Sequence, residues 1–438
     1  MSVVTLHVDR RLGVTAAAGF TAAGTACGIK PSGAPDLALV VGRPGTIAAG
    51  TFTTNQVVAA PVVWSRARLA ASVDARVVVI NSGNANACTG PAGEEAVLAT
   101  ARRAAAELGC EPEQVLVCST GVIGVPLEID KVTDGMAKAA RDLDRDGNAA
   151  AEAIRTTDTV SKQAGLVIDG ITVGGMAKGA AMLAPALAVP HATMIAVLTT
   201  DAVVEPAALR AAVGEASEAS FNRITIDGAQ STNDTVLLLA SGASGIRPHA
   251  DDLSEAVHAV CDDLAGQMLA DAEGGTKVIG IHVGGAGTLA AACAVARRVA
   301  DSPLVKTAVY GGDPNWGRIL QAAGAAGVGF DPARVRLEVR GGPGAAGIER
   351  APEPAPPEGS GEPQEDAPVD RGHPGWRDPP ERVLLVRDGA PTGADASAAL
   401  AAREIEVRLH LGGPGPWGCV RTADLTPEYV RLNSEYTT

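Results

Sequence analysis

The stretch PHATMIAVLTTDA, residues 190 to 202, sets Ala192 and Thr193 at the mouth of the apolar run Met194 to Leu198. A threonine in that place can be no more than a β-former. If the peptide bond before it is cut, however, Thr193 becomes a nucleophile with a built-in base. Its new α-amino group, with an unperturbed pKa of ~7.7 to 8.0, can take the hydroxyl proton near neutral pH. No His or Asp partner is then required. Four polar islands interrupt other apolar runs: NSGNANACTG (81 to 90), STGVIG (119 to 124), STNDT (231 to 235) and GGDPNWGR (311 to 318). Taken singly, each is what a turn uses, because Asn, Gly, Asp and Ser supply turn geometry. Together they mark the places where the chain carries more polar chemistry than folding alone demands.

Other chemistries are poorly served. The seven cysteines (27, 88, 110, 118, 261, 293, 419) form an odd set without a CxxC pair, and the seven histidines include no HExxH. Neither a disulfide frame nor a metal site is encoded, and each cysteine reads as a small buried apolar residue. A formal charge of −14 repels a phosphate backbone, and aromatics at 3% give no base-stacking platform, so no nucleic-acid partner is expected. The stretch MSVVTLHVDRR shows no basic segment leading into an apolar one, so no secretory leader is expected, and the apolar runs stop well short of the ~20 residues a membrane span needs. The expectation is a soluble cytoplasmic protein.

The elements that must position these residues are short β-branched strands mixed with helices. Strands are expected at Val3 to Val8, Leu37 to Val41, Val77 to Ile80, Val115 to Val117, Val167 to Val173, Val236 to Leu239 and Val278 to Val283. The clearest helix runs from about residue 91 to 108, with Thr89 as its cap, acids in its first turn and Gly109 behind it. Others are expected at 205 to 218, 252 to 271 and 287 to 299. This mixture predicts a layered α/β architecture with a core of Val, Leu, Ile and Ala at close spacing. Residues 341 to 380 differ in kind, holding 10 of the 28 prolines among Glu and Gly. They read as a disordered insertion within a domain, because alternating strand patterns resume in RVLLVRDG and EIEVRLHLG.

The ordered series GIKPSG (28 to 33), TFTTNQVVAAPV (51 to 62), NSGNANACTG, STGVIGVPL (119 to 127), TTDTVSK (156 to 162), GGMAKGAAMLAP (174 to 185), ATMIAVLTTDA (192 to 202), SFNRITIDG (220 to 228), STNDT, EGGTK (273 to 277), VKTAVYGGDPNWGRI (305 to 319) and terminal NSEYTT closely resembles the glutamate N-acetyltransferase, or ornithine acetyltransferase, family. The resemblance implies an α/β layered sandwich of the type shared with N-terminal-nucleophile aminopeptidases. It also implies self-cleavage between Ala192 and Thr193 into an α chain (1 to 192) and a β chain (193 to 438), with no cofactor. Thr193 would carry acetyl from N-acetylornithine to glutamate as an ester, with Thr120 and Gly121 forming the oxyanion hole. Thr156, Lys178, Thr193, Glu273, Asn433 and Thr438 would bind the amino-acid substrates, Lys178 facing a carboxylate and Glu273 an ammonium. The hydroxyl of Thr156 could equally serve a turn. Family members associate as (αβ)₂ assemblies, and some also take acetyl from acetyl-CoA.

Three departures accompany the match, one of them the proline-rich insertion, which is expected to be tolerated as a surface loop. The bridge from Lys178 to Thr193 is about four residues longer than the family's usual form, just where the Ala192 carbonyl must reach near-attack distance of the Thr193 hydroxyl. Ala229 and Gln230 replace an acid and a hydroxyl in DGAQSTNDT. The departures motivate two competing readings, a paralogue acting on another acceptor in a specialised pathway and an uncleaved amino-acid-binding protein; a third, a hydrolase using water, follows from the peptidases of the related fold group.

Overall fold

A computed structural model of the chain describes residues 6–184, 194–346 and 382–435. Two compact units emerge: residues 1–274 with 427–438, and residues 275–426.

The first unit contains β1 (Phe20–Thr25), β2 (Leu37–Gly42), β3 (Ile47–Phe52), α1 (Ala60–Ala71), β4 (Val77–Asn84), α2 (Gly90–Leu108), β5 (Val115–Val122), α3 (Ile129–Arg141), α4 (Asn148–Ala153), β6 (Lys162–Ile168), β7 (Ile171–Lys178), β8 (Ile195–Thr200), α5 (Pro206–Ala219), β9 (Ile224–Thr225), β10 (Thr235–Ala240) and α6 (Ala250–Ala270). One sheet has the order β1-β2-β4-β5 and the other β3-β10-β8-β7-β6. Strand alternation sorts the first sheet's side chains into two layers. Ala38, Val40, Val78, Ile80, Leu116 and Cys118 join Met176, Ile195, Val197, Leu237 and Leu239 of the second sheet in one core. Leu37, Leu39, Val77, Val79, Val115 and Val117 pack instead on Val97, Ala101 and Ala104 of α2 and Val132 and Met136 of α3. Helices α5 and α6 pack on the second sheet. The layered α/β expectation therefore holds, and it explains the near-continuous apolar strands: both sheet faces are covered.

The second unit contains β11 (Val278–Gly284), α7 (Leu289–Ala300), α8 (Pro303–Tyr310), α9 (Trp316–Gly324), β12 (Arg336–Gly341), β13 (Val383–Arg387), β14 (Ala390–Pro391), α10 (Ser397–Leu400), β15 (Glu404–His410) and β16 (Gly418–Ala423). Its strands lie in the order β14-β13-β12-β15-β11-β16. Ile279, Ile281, Leu337, Val339, Ile405 and Val407 share a core with helical Val295, Val299 and Val305. The proline-rich insertion joins β12 to β13, which pair antiparallel, so its two ends are held side by side in one sheet; residues 347–381 lie outside the described residues. The chain then returns to the first unit as α11 (Pro427–Glu435).

Several local expectations need correction. Residues 6–8 of the first expected strand are not in a strand. The single strand expected over Val167 to Val173 is a hairpin, β6 to β7, turned at Asp169 and Gly170 with φ of 48° and 81°. An Asp-Gly pair supplies the two positive-φ positions that a tight hairpin turn needs, and that signal outranks the flanking β-branched residues. Thr89 precedes α2 but does not cap it through its side chain; its hydroxyl donates to Asn86 Oδ1 at 2.8 Å, and no acid stands in the first turn. Gly109 closes the helix in the left-handed conformation, as expected. Of the cysteines, Cys118 and Cys261 are buried, whereas Cys88 is exposed and the other four are intermediate.

Candidate active site

Strands β4 and β5 run parallel and end together, β7 ends at Lys178, and β8 and β10 begin at the same place in the neighbouring sheet. Three of the four polar islands meet at this junction. Asn233 of STNDT donates from Nδ2 to Ala85 O (2.6 Å) and Ser119 O (2.8 Å), stitching the second sheet to the first. Ser119 Oγ donates to Asn81 Oδ1 at 2.6 Å. Buried amides and hydroxyls of this kind are stable only when satisfied, so three islands that read singly as turns form one fixed polar framework. The fourth island lies in the second unit, where Asn315 caps α9 and Asp313 accepts from Asn315; turn and cap chemistry accounts for it.

At the end of β4 and β5 two glycines touch. A Cβ on Gly121, whose φ is +131°, would stand 2.3 Å from the carbonyl carbon of Gly83. Only glycine permits this approach, which leaves the backbone of Gly121 lining a cleft of ≈ 620 Å³ together with Lys30, Gly83, Asn84, Val125 and Thr156.

Lys178 is the centre of the polar cluster. Buried at the end of β7, its Nζ donates to Thr156 Oγ1 at 2.8 Å and to Thr120 Oγ1 at 3.3 Å, and it lies 3.9 Å from Asp158 Oδ2. The Thr156 hydroxyl thus accepts from a buried cation. Asp158 accepts from Lys162 Nζ (2.6 Å) and Gly179 N (2.7 Å) through Oδ1 and from Thr156 N (3.1 Å) through Oδ2. Lys162, fully buried, also donates to Asp271 at 2.6 Å. Burial by itself would raise the Asp158 pKa, but the charges of Lys178 and Lys162 and the bonds from Lys162 and Gly179 hold it well below the usual carboxylate range. For Lys178, burial wins: its pKa is lowered despite Asp158, and Lys162 adds to the lowering. A lysine whose charged form is thus disfavoured gains from an incoming carboxylate.

The remaining predicted residues divide. Glu273 is anchored through its backbone N–H to Ala180 O (2.9 Å), two residues beyond Lys178, and accepts from Asn433 Nδ2 of α11 at 2.9 Å. Ala192, Thr193 and Thr438 lie outside the described residues. Met194, bonded to Thr193, is held at both ends: its N–H donates to Asp234, and its carbonyl accepts from Thr235 N at 3.0 Å. Its successor Ile195 stands opposite Lys178 in the β7–β8 ladder.

Sequence reasoning missed Asp158, Lys162 and Asp271. The i, i+4 spacing of Asp158 and Lys162 within TTDTVSK was the available signal, although pairing across a loop is not a helical rule. It also missed Asp227, which accepts from Met182 N (2.6 Å), Leu183 N (3.0 Å), Ala229 N (3.1 Å) and Tyr429 Oη of α11 (3.3 Å). Met182 has φ of +47°, so this carboxylate fixes an unusual backbone turn at the start of the bridge.

Residues 21–357 match the model of the family described as the ArgJ family. The chain is 52% identical over 428 residues to the arginine biosynthesis bifunctional protein ArgJ of Streptomyces coelicolor, covering 97% of this chain and 100% of the relative. It is 46% identical over 442 residues to the protein of that name from Mycobacterium tuberculosis strain H37Rv, covering 99% and 98%. Among solved structures, that of an ornithine acetyltransferase complexed with ornithine from Mycobacterium tuberculosis is 51% identical, with a TM-score of 0.41 over 42% of this chain and 100% of that one.

Proposed function

The chain belongs to the ArgJ family, and on that premise we infer that it is an acyltransferase of arginine biosynthesis that moves acetyl from N-acetylornithine to glutamate. In this reading Thr193 carries the acetyl group. The observation that supports it best is the cluster of Lys178, Thr120 and Thr156 at the end of β7, opposite the start of β8. Met194, the residue after Thr193, is pinned there by Asp234 and Thr235.

Maturation begins when the Thr193 hydroxyl attacks the carbonyl carbon of Ala192. The C–N bond breaks, the nitrogen takes up the proton, and an ester remains. Water cleaves that ester, leaving a carboxylate on Ala192 and a free amino group on Thr193. This amino group then accepts the hydroxyl proton as Thr193 attacks the acetyl carbonyl of N-acetylornithine. The tetrahedral oxyanion is stabilised by donors at Thr120 and Gly121, each such donor being worth ~10²- to 10³-fold in rate. Ornithine leaves with the proton, and the amine of glutamate attacks the acetyl-Thr193 ester. Lys178 pairs with the α-carboxylate common to both amino acids, and Glu273 with Asn433 receives the ornithine ammonium. Two cleaved pairs assemble in the cytoplasm as an (αβ)₂ enzyme.

Denaturing mass measurement with N-terminal sequencing tests this directly. Two chains are expected, the second beginning Thr-Met-Ile, with Thr193→Ala remaining a single chain that transfers no acetyl. A native preparation that stays intact would remove the free amino group and favour the silent amino-acid-binding reading.

A further inference from the structure

Acetyl transfer between these two substrates, on which this inference rests, makes one site take amino acids with oppositely charged ends. Ornithine ends in an ammonium and glutamate in a carboxylate, while the α-carboxylate is common to both. Glu273 and Asn433 suit the ammonium, and Lys178 suits the α-carboxylate. The glutamate side chain still needs a cation of its own.

The GIKPSG loop supplies one. Its backbone is fixed by the buried carboxylate of Asp36, which accepts from the N–H groups of Cys27 (2.6 Å), Gly28 (3.1 Å) and Lys30 (2.9 Å). The stem of Lys30 then lies along Gly83: a Cβ at position 83 would stand 3.2 Å from Lys30 Cγ. Gly83 in turn abuts Gly121 on its other side, so a single peptide layer separates Lys30 from the oxyanion motif. Both residues line the same cleft as Thr156. Lys30 Nζ donates to Pro35 O at 2.6 Å, and among the described residues no carboxylate oxygen lies within 4.0 Å of it. An ammonium has three protons, so two remain for a ligand. Burial lowers the Lys30 pKa, opposed by Asp36 and reinforced by Lys178 and Arg155. A bound carboxylate reverses that effect.

We propose that Lys30 determines acceptor specificity by binding the γ-carboxylate of glutamate in the cleft that it lines with Gly121 and Thr156. The two substrates then share the α-carboxylate contact and point their side chains toward opposite charges. Because the loop is held by backbone amides on Asp36, the ammonium can be removed without releasing the loop.

The test compares glutamate with its neutral isostere glutamine as acceptors, using the mature enzyme and N-acetylornithine as donor. For Lys30→Met, the glutamate-to-glutamine ratio of kcat/KM should fall at least tenfold, chiefly through a higher KM for glutamate. Lys30→Arg should keep the ratio within about threefold of the native enzyme. Lys30→Gln repeats the measurement should the methionine variant fold poorly. An unchanged ratio would overturn the proposal, as would equal losses for the two acceptors, which would assign Lys30 to the α-carboxylate. A native enzyme that passed acetyl to neither acceptor would instead remove the acetyl-transfer reading, and the proposal with it.

Discussion

Replacing Asp158 with asparagine keeps the side chain's shape and removes its charge. The three hydrogen bonds to the carboxylate all come from donors: Lys162 Nζ and Gly179 N on Oδ1, and Thr156 N on Oδ2. Whichever way the new amide is turned, its NH₂ group faces at least one of these donors, so no flip satisfies the site. The site is also closed to water, since the side chains of Asp158 and Lys162 are both fully buried. Breaking a buried pair on one side costs about 3–5 kcal/mol, because the abandoned charge stays desolvated. Asp271 remains on Lys162, which places the cost toward the lower part of that range. Taking about 3 kcal/mol at about 2–4 °C per kcal/mol for a domain of roughly this size, Asp158→Asn should melt about 6–12 °C below the native protein.

The sign of the pH effect follows from the lowered pKa. Asp158 is depressed in the folded state, so its contribution is complete above the unfolded value of ~3.9 and is lost as pH falls through the folded value. Native stability should therefore drop below about pH 4, and the variant's curve should be flatter there. Differential scanning calorimetry between pH 3 and 7 measures both effects. A variant melting within about 2 °C of the native protein, with the same acid slope, would refute the reasoning that this carboxylate is the hub holding Lys178 and Thr156.

Three further outcomes are expected. Gly121→Ala should lose soluble native protein or melt far lower, because its Cβ meets the Gly83 backbone at 2.3 Å; expression and a thermal melt check it. Asp227→Asn should slow the appearance of two chains at least tenfold on a denaturing gel time course, since it loosens the turn at Met182 and Leu183 that leads into the bridge; cleavage at the native rate would count against that coupling. Iodoacetamide at pH 8 should label exposed Cys88 first, while Cys27 and Cys118, both pushed up to about 12 by burial, stay unmodified; peptide mass mapping reads the order.

The class of fold and the identity of most of the chemistry were legible in the order of the residues. Local signals sufficed where the structure obeys local rules: strands β2, β4, β5, β10 and β11, and the helices at 206–219, 250–270 and 289–300, whereas β1 and β3 were not read from the sequence. The Asp169-Gly170 turn was equally local but was hidden by the β-branched residues around it. Thr120, Gly121, Thr156, Lys178, Glu273 and Asn433 were reached through ordered motifs, since no periodicity singles them out.

Which polar islands act together became visible only once the sheets were packed. Asn81, Ser119 and Asn233 are spread over more than one hundred and fifty positions, yet they bond across two sheets because parallel β4 and β5 end where β8 and β10 begin. That Asp158, Lys162 and Asp271 form one buried cluster was hidden for the same reason, with only the i, i+4 spacing of the first two to hint at it. A charge in a sequence reads as solvated surface until the fold removes the water around it, and burial is a property of packing that no single residue carries.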